Sequence, residues 1–262
     1  MRWFVFVFLI FVCAPTFALD LSQTFKSSEV SRYKVIVKVV GKALVPGESK
    51  PVDINSSFEM VVRLKYLKDS SKSGAPSRIT MEAENAVSVF GDSRLSVGKE
   101  LFPDLTFLLD ASSDITRVIP PDDVPYRLPG INYRNMVFLL HTYAAAGDLK
   151  PGDSWKKTAK IIGSGEPLEF KYKFDSVESK PEGKFAKIKA DVLVLLPSNS
   201  NCKAVGAAQC EFSLDSIRLE RAHVEMNITW TQDKNAKTDG IDSNKQEAQP
   251  SVKSELDISR IR

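Results

Sequence analysis

From residue 30 onward the chain alternates apolar and polar positions with a period of two, the pattern of strands that bury one face. In YKVIVKVV, Tyr33, Val35, Val37 and Val39 share a face. In FEMVVRLKY, Phe58, Met60, Val62, Leu64 and Tyr66 do so, opposite Glu59, Arg63 and Lys65. RITMEAE sends Ile79, Met81 and Ala83 inward, LTFLLD sends Leu105, Phe107 and Leu109, and DITRVIP reads as a short return strand. A second series starts at SWKKTAKI, with Trp155, Ala159 and Ile161 on one face. LEFKYKF sets Leu168, Phe170, Tyr172 and Phe174 against Glu169, Lys171 and Lys173. FAKIKADVLVLLP alternates and then turns wholly apolar from Val192, which predicts an end covered on both sides. AHVEMNITW aligns Ala222, Val224, Met226, Ile228 and Trp230, whereas Ile217 and Leu219 just before it have the opposite parity. A bulge near Glu220 or Arg221 reconciles the two runs. VKSELDISRI is a last strand that closes the sheet.

One segment breaks the alternation. INYRNMVFLLHTYAAAG spaces Met136, Val137, Leu140, Tyr143 and Ala144 three and four apart and stops at Gly147, which predicts a helix over about 132–146. Strands (about 30–120), one helix, then strands again (about 154–262) predict an α+β, mainly antiparallel domain over 19–262. Its sheet is strongly curved, a half-barrel with one covering helix. The polar stretch TQDKNAKTDGIDSNKQEAQPS reads as a long surface loop.

The N-terminus changes where this domain is expected to work. MRWFVFVFLIFVCAPTFALD carries one positive charge, an apolar run, and small residues at Thr16 and Ala18, as a signal peptide cleaved after Ala18 does. The apolar run is shorter than the roughly 20 residues that span a bilayer. The expected product is an exported, periplasmic or extracellular chain with no transmembrane segment left. Loss of Arg2 from the 36 Lys and Arg leaves 35 basic against 33 acidic side chains, a balance that speaks against a nucleic-acid partner. In an exported chain the pair in NCKAVGAAQC, Cys202 and Cys210, reads as a disulfide around a Gly/Ala-rich loop.

Candidate chemistry is sparse. In SVFGDSRLS, Phe90, Gly91, Asp92 and Ser93 resemble the F-G-D-S nucleophile block of the lipase-like hydrolases. That resemblance implies an esterase using Ser93 with His223 as base and Glu220 in the place of the family's aspartate. The family's G-x-N-D block is missing, the strand–helix alternation of an α/β hydrolase is missing, and GDS recurs in KPGDSW, where Gly152 and Asp153 make a turn. The expectation is therefore a non-enzyme with no catalytic residues. His141 and the pair Asp122 and Asp123 have no partners at ligand spacing, so neither metal nor cofactor is expected.

The segment DLKPGDSWKKTAKI carries a second resemblance. Leu149, Lys150, Gly152, Asp153, Ser154 and Trp155 match the V/L-K-x-G-D-S-W turn of an uncharacterised exported bacterial β-rich family, in which a short helix precedes the turn and antiparallel strands follow. FSLDSIRLERAHVEMNIT is similar to the hairpin of that group. The architecture is also distantly similar to periplasmic lipoprotein carriers and related lipid-binding half-barrels. Apolar strand faces in excess of one helix point to a non-catalytic binding protein for a lipid or a hydrophobic partner segment. Phe58, Met60, Phe170, Tyr172, Met136 and Leu140 are the expected contact residues. The alternative is a structural or envelope-interaction protein, partnered by another envelope protein, whose core is filled.

Overall fold

The computed structural model describes residues 28–43, 50–68, 76–90, 93–98, 102–110, 114–119, 133–141, 149–161, 164–196, 202–230 and 250–261. The expected signal peptide, Gly91, Asp92, Asp122, Asp123 and the polar stretch 231–249 lie outside the described residues.

The first alternating series forms β1 (Val30–Ala43), β2 (Val52–Lys68), β3 (Pro76–Phe90), the short β4 (Ser93–Ser96), β5 (Leu105–Leu109) and β6 (Ile115–Ile119). The second forms β7 (Ser154–Ile161), β8 (Ser164–Lys180), β9 (Gly183–Val194), β10 (Cys202–Ser213), β11 (Arg218–Trp230) and β12 (Ser251–Ile261). All belong to one antiparallel sheet of order β6-β5-β3-β2-β1-β12-β11-β10-β9-β8-β7, with β4 beside β3. Each series is thus a meander running outward from a central junction, where the last strand lies against the first. Arg32 to Gly41 of β1 pair with Ile261 to Val252 of β12. The two outer strands, β6 and β7, come back to face each other, and no ladder joins them among the described residues. The result is a nearly closed, barrel-like sheet with one unsealed seam. Across it Lys157 of β7 makes an ion pair with Asp114, which leads into β6.

The alternation sets which side chains fill this barrel. Tyr33, Val35, Val37 and Val39 of β1 and Phe58, Met60, Val62, Leu64 and Tyr66 of β2 all face the core, together with Leu168, Phe170, Tyr172 and Phe174 of β8. The bulge expected near Glu220 is present. Glu211 pairs with Arg221 but the next residue, Phe212, pairs with Leu219, so Leu219 and Ala222 both point inward. A second bulge has no clear mark in the sequence. Asn85 takes φ 52°, and the pairing slips between Glu59 and Val61 of β2. Parity then flips, so that Ala86 and Ser88 are buried on the same inward face as Met81 and the half-buried Ala83. The apolar end of β9 is also not covered on both sides. Leu193 is half-buried and Leu195, just past the strand, is 37% exposed.

The expected helix is seen as α1 (Met136–His141), entered by a turn at 133–135; residues 142–148 lie outside the described residues. Met136, Val137, Phe138, Leu140 and His141 are all buried, and Leu139 packs against the same core. A helix that is covered on all sides belongs inside a protein. Here it lies on the concave side of the sheet. Tyr133 meets Phe102 edge-on with ring centres 5.2 Å apart, and Phe102 meets Phe58 at 6.4 Å. At the other end His141 lies 6.0 Å from the Tyr66 ring.

The Lys150–Asp153 turn confirms the bland reading of KPGDSW. Pro151 and Gly152, the latter at φ 101°, occupy the centre of a turn closed by the Asp153 amide donating to the Lys150 carbonyl at 3.0 Å. Only glycine adopts that left-handed conformation without strain. The Lys150 amide donates in turn to the Asp153 carboxylate at 2.7 Å.

Candidate ligand-binding interior

The six expected contact residues come together. Phe58, Met60, Phe170, Tyr172, Met136 and Leu140 are all buried in one continuous apolar core beneath and around α1. The two sides of that interior differ. On β8 and β7 it is aromatic: the Phe170 and Tyr172 rings stack at 5.5 Å, and Trp155 stacks on Tyr172 at 5.1 Å. Two strands further on it is small. Tyr172 stands opposite Ala190, Ala190 opposite Ala208, and Ala208 opposite Val224. Gly206, in the adjoining row, has no room for a β-carbon against the Glu225 carbonyl and the Met226 sulfur.

Polar atoms punctuate this interior. Ser254 pairs with Val39 and so faces the core; it is 1% exposed, and its hydroxyl has no protein hydrogen-bond partner among the described residues. The same is true of the Ser88 hydroxyl beside Phe58. Such groups are the exception in native interiors, where nearly all buried polar atoms are bonded. Burial, followed by the nearby Asp104 and Glu82 carboxylates, pushes the Tyr133 phenol above its ordinary value, and burial does the same to Tyr172. Both are neutral hydroxyls, suited to hydrogen bonding and not to proton transfer near neutral pH.

One end of the barrel is closed by charge that the sequence did not reveal. Arg218, 3% exposed at the start of β11, makes a two-pronged bond to Glu29 at 2.9 and 2.7 Å and lies over the Tyr66 ring at 5.7 Å. Arg260 reaches Glu220 at 3.1 Å and the Ser216 hydroxyl at 3.0 Å. Burial pushes the adjacent Tyr33 phenol up. The available signal is weak: an isolated acidic residue before β1 and an arginine that opens β11, far apart in the chain, each resembling a solvated strand end.

The residues of the esterase reading are kept apart. Ser93 is exposed on β4, at the hairpin where it pairs with Phe90. His223 lies on the outer face of β11, with Nδ1 2.7 Å from Asp257 and Nε2 3.3 Å from Glu225. From β4 to β11 the order passes through β3, β2, β1 and β12. That is about 24 Å along the sheet at ~4.8 Å per strand.

The disulfide expectation is overturned. Cys202 and Cys210 do not pair with each other: both lie on β10, opposite Trp230 and Ala222 respectively. Eight residues of extended strand hold them about 27 Å apart, whereas a bridge needs α-carbons within about 7 Å. The Gly/Ala-rich segment between them is a strand whose inward residues happen to be small. Among the described residues no three His, Cys, Asp or Glu gather as metal ligands, and no helix is long and apolar enough to cross a membrane.

Comparison with known proteins bears on the fold. The fold is similar to part of lipovitellin. The likeness to a solved structure of lipid–protein interactions in lipovitellin has a TM-score of 0.52 at 13% identity, and covers 91% of this chain but 25% of that one. This chain therefore spans about a quarter of lipovitellin's length, and the likeness is one of fold. No family model and no curated protein matches the chain.

Proposed function

We propose that this is an exported, non-catalytic binding protein whose barrel interior takes up a lipid acyl chain or a hydrophobic segment of an envelope partner. One observation carries the reading. An apolar concave face contributed by two full meanders is covered, among the described residues, by a helix of six residues, in a sheet whose edge strands are not bonded to each other. A lone helix of even a dozen residues is marginal in water, so α1 stays in place through its packing. A ligand chain that offers equal apolar contact displaces it at low cost. The unsealed seam between β6 and β7 gives such a ligand a way in, held by the Lys157–Asp114 pair and no ladder. The likeness to a lipovitellin structure concerned with lipid–protein interactions supports the same reading at the level of fold.

Burial favours a second reading. All six expected contact residues are already packed, as in a structural or envelope-interaction module with a filled core. Native mass spectrometry after mild purification separates the two. The binding reading expects a lipid-sized mass adduct that organic extraction removes. It also expects the extracted protein to take up a fluorescent fatty acid, and Ala208→Phe, which fills the small side of the interior, to prevent that uptake while the fold persists. A folded wild-type protein with neither adduct nor uptake is the filled-core module.

A further inference from the structure

The outer face of β7, β8 and β9 carries a concentration of lysines. Lys156 of β7 stands directly opposite Lys171 of β8, and one row along, Lys173 of β8 stands directly opposite Lys189 of β9. Like charges at directly opposed positions of a sheet cost stability. Three acids soften this block. Glu169 lies 2.6 Å from Lys156 and 3.9 Å from Lys171, Asp175 lies 3.0 Å from Lys189, and Asp191 pairs with Lys171 in register. Lys173 has no ion pair among the described residues, and Lys160 adds an exposed cation at the sheet edge. On the outer face of the first series Arg32 also stands opposite Arg63, but there each arginine is met by a carboxylate: Arg32 bonds Glu84, Arg63 bonds Glu82 and Arg94 bonds Glu59.

Next to the lysine block, toward the rim, the same outer face turns apolar. Leu193 faces outward opposite Val205, both half-buried, and Leu195 follows with 37% of its surface exposed. On its other side Leu193 stands opposite Glu169 of β8, and the Lys156–Lys171 pair lies one row along. Exposed leucines beside a block of lysines suit a surface that rests on lipid headgroups: the leucines enter the headgroup layer and the ammonium groups meet phosphates. The block also borders β7, one lip of the unsealed seam.

We propose that the outer face of β7–β9 docks on an anionic lipid membrane, with Leu193 and Leu195 at headgroup depth and Lys156, Lys171, Lys173 and Lys189 against lipid phosphates. Docking there sets the seam at the membrane surface, where a lipid leaving the bilayer meets it. This last step rests on the proposed function; the docking itself does not.

The test is flotation of the purified protein with phosphatidylcholine vesicles containing phosphatidylglycerol, alongside vesicles of phosphatidylcholine alone. The expected result is binding to the anionic vesicles only, weakening as salt is raised. Lys171→Gln with Lys173→Gln should lower the partition coefficient about thirtyfold, from the contribution of each lysine near such a surface. Leu195→Gln should lower it less. Lys34→Gln with Lys38→Gln, on the other series, should leave it unchanged. Absence of binding to anionic vesicles at low salt, or equal losses from the two lysine pairs, overturns the proposal. The same double variant examined by native mass spectrometry separates this proposal from the proposed function. A lipid adduct without docking, or docking without an adduct, shows which of the two has failed.

Discussion

The barrel has two places where its two meanders meet, and they are made in opposite ways. At β1 and β12 the meeting is a full antiparallel ladder from Arg32 and Ile261 to Gly41 and Val252. The backbones there come so close that Gly41, at φ 143°, has no space for a β-carbon beside the Ser251 carbonyl. At β6 and β7 no ladder forms among the described residues, and the partly exposed Lys157–Asp114 ion pair bridges the gap. The closed junction unites residues more than two hundred positions apart, whereas the open one lies between strands consecutive in sequence, where the chain detours through α1. Chain connectivity therefore does not decide where this barrel seals. A rigid junction and a weak one in a single sheet are what a container needs if its contents are to change.

The largest expected effect comes from breaking the closed junction. Gly41→Val places a branched side chain where both the backbone angle and the Ser251 carbonyl forbid it. It should cost roughly 3 kcal/mol or more, read as a large fall in the urea unfolding midpoint. Arg218→Ala, at the charged end beside that junction, should cost about 2–3 kcal/mol by chemical denaturation. It strands Glu29, which is partly solvated, and removes the cover of Tyr66. At the open junction the effect should nearly vanish. Lys157→Ala removes a pair with Asp114 left partly exposed, so the denaturation midpoint should shift by less than about 1 kcal/mol. The rate of fatty-acid uptake should rise even so.

The smallest effect is a pH dependence on the outer face of the closed half. Hydrogen bonds from its ring to Asp257, and then to Glu225, outweigh partial burial and hold His223 above the ordinary value of 6.5. The folded state thus favours the charged ring. Its contribution is complete below about 6.5 and is lost as pH rises through the elevated folded value. His223→Gln should flatten the melting temperature between pH 6 and 8 and change little else. A steeper profile in the variant would contradict the assignment.

Most of this fold is written in the alternation of side chains, because burying one face of a strand demands a period of two. The inward sets of β1, β2, β5 and β8 follow directly, and even the bulge at Glu220 shows as a parity conflict between Leu219 and Ala222. The bulge at Asn85 stayed hidden because Ala83, Ala86 and Ser88 are small and carry little signal for either face. The same weakness concealed β10. Ala204, Gly206 and Ala208 alternate inward, yet a run of alanine and glycine between two cysteines also looks like a bridged loop. Partners were the least legible. Nothing local marks β12 as the mate of β1, or Glu29 as the mate of Arg218, since both matches are set by the closure of the whole sheet. The candidate interior was legible as a set of apolar residues. The helix that occupies it was legible as a helix, but its burial on nearly every side was not.

The central claim, that this barrel opens along β6 and β7 to admit a lipid, is most directly tested by hydrogen exchange of backbone amides, strand by strand, with and without oleate. The account expects β6 and β7 to exchange orders of magnitude faster than β1 and β12, and oleate to slow exchange in β7 and α1 while leaving β1 and β12 unchanged. Equal protection at both junctions, unaltered by oleate, would contradict it.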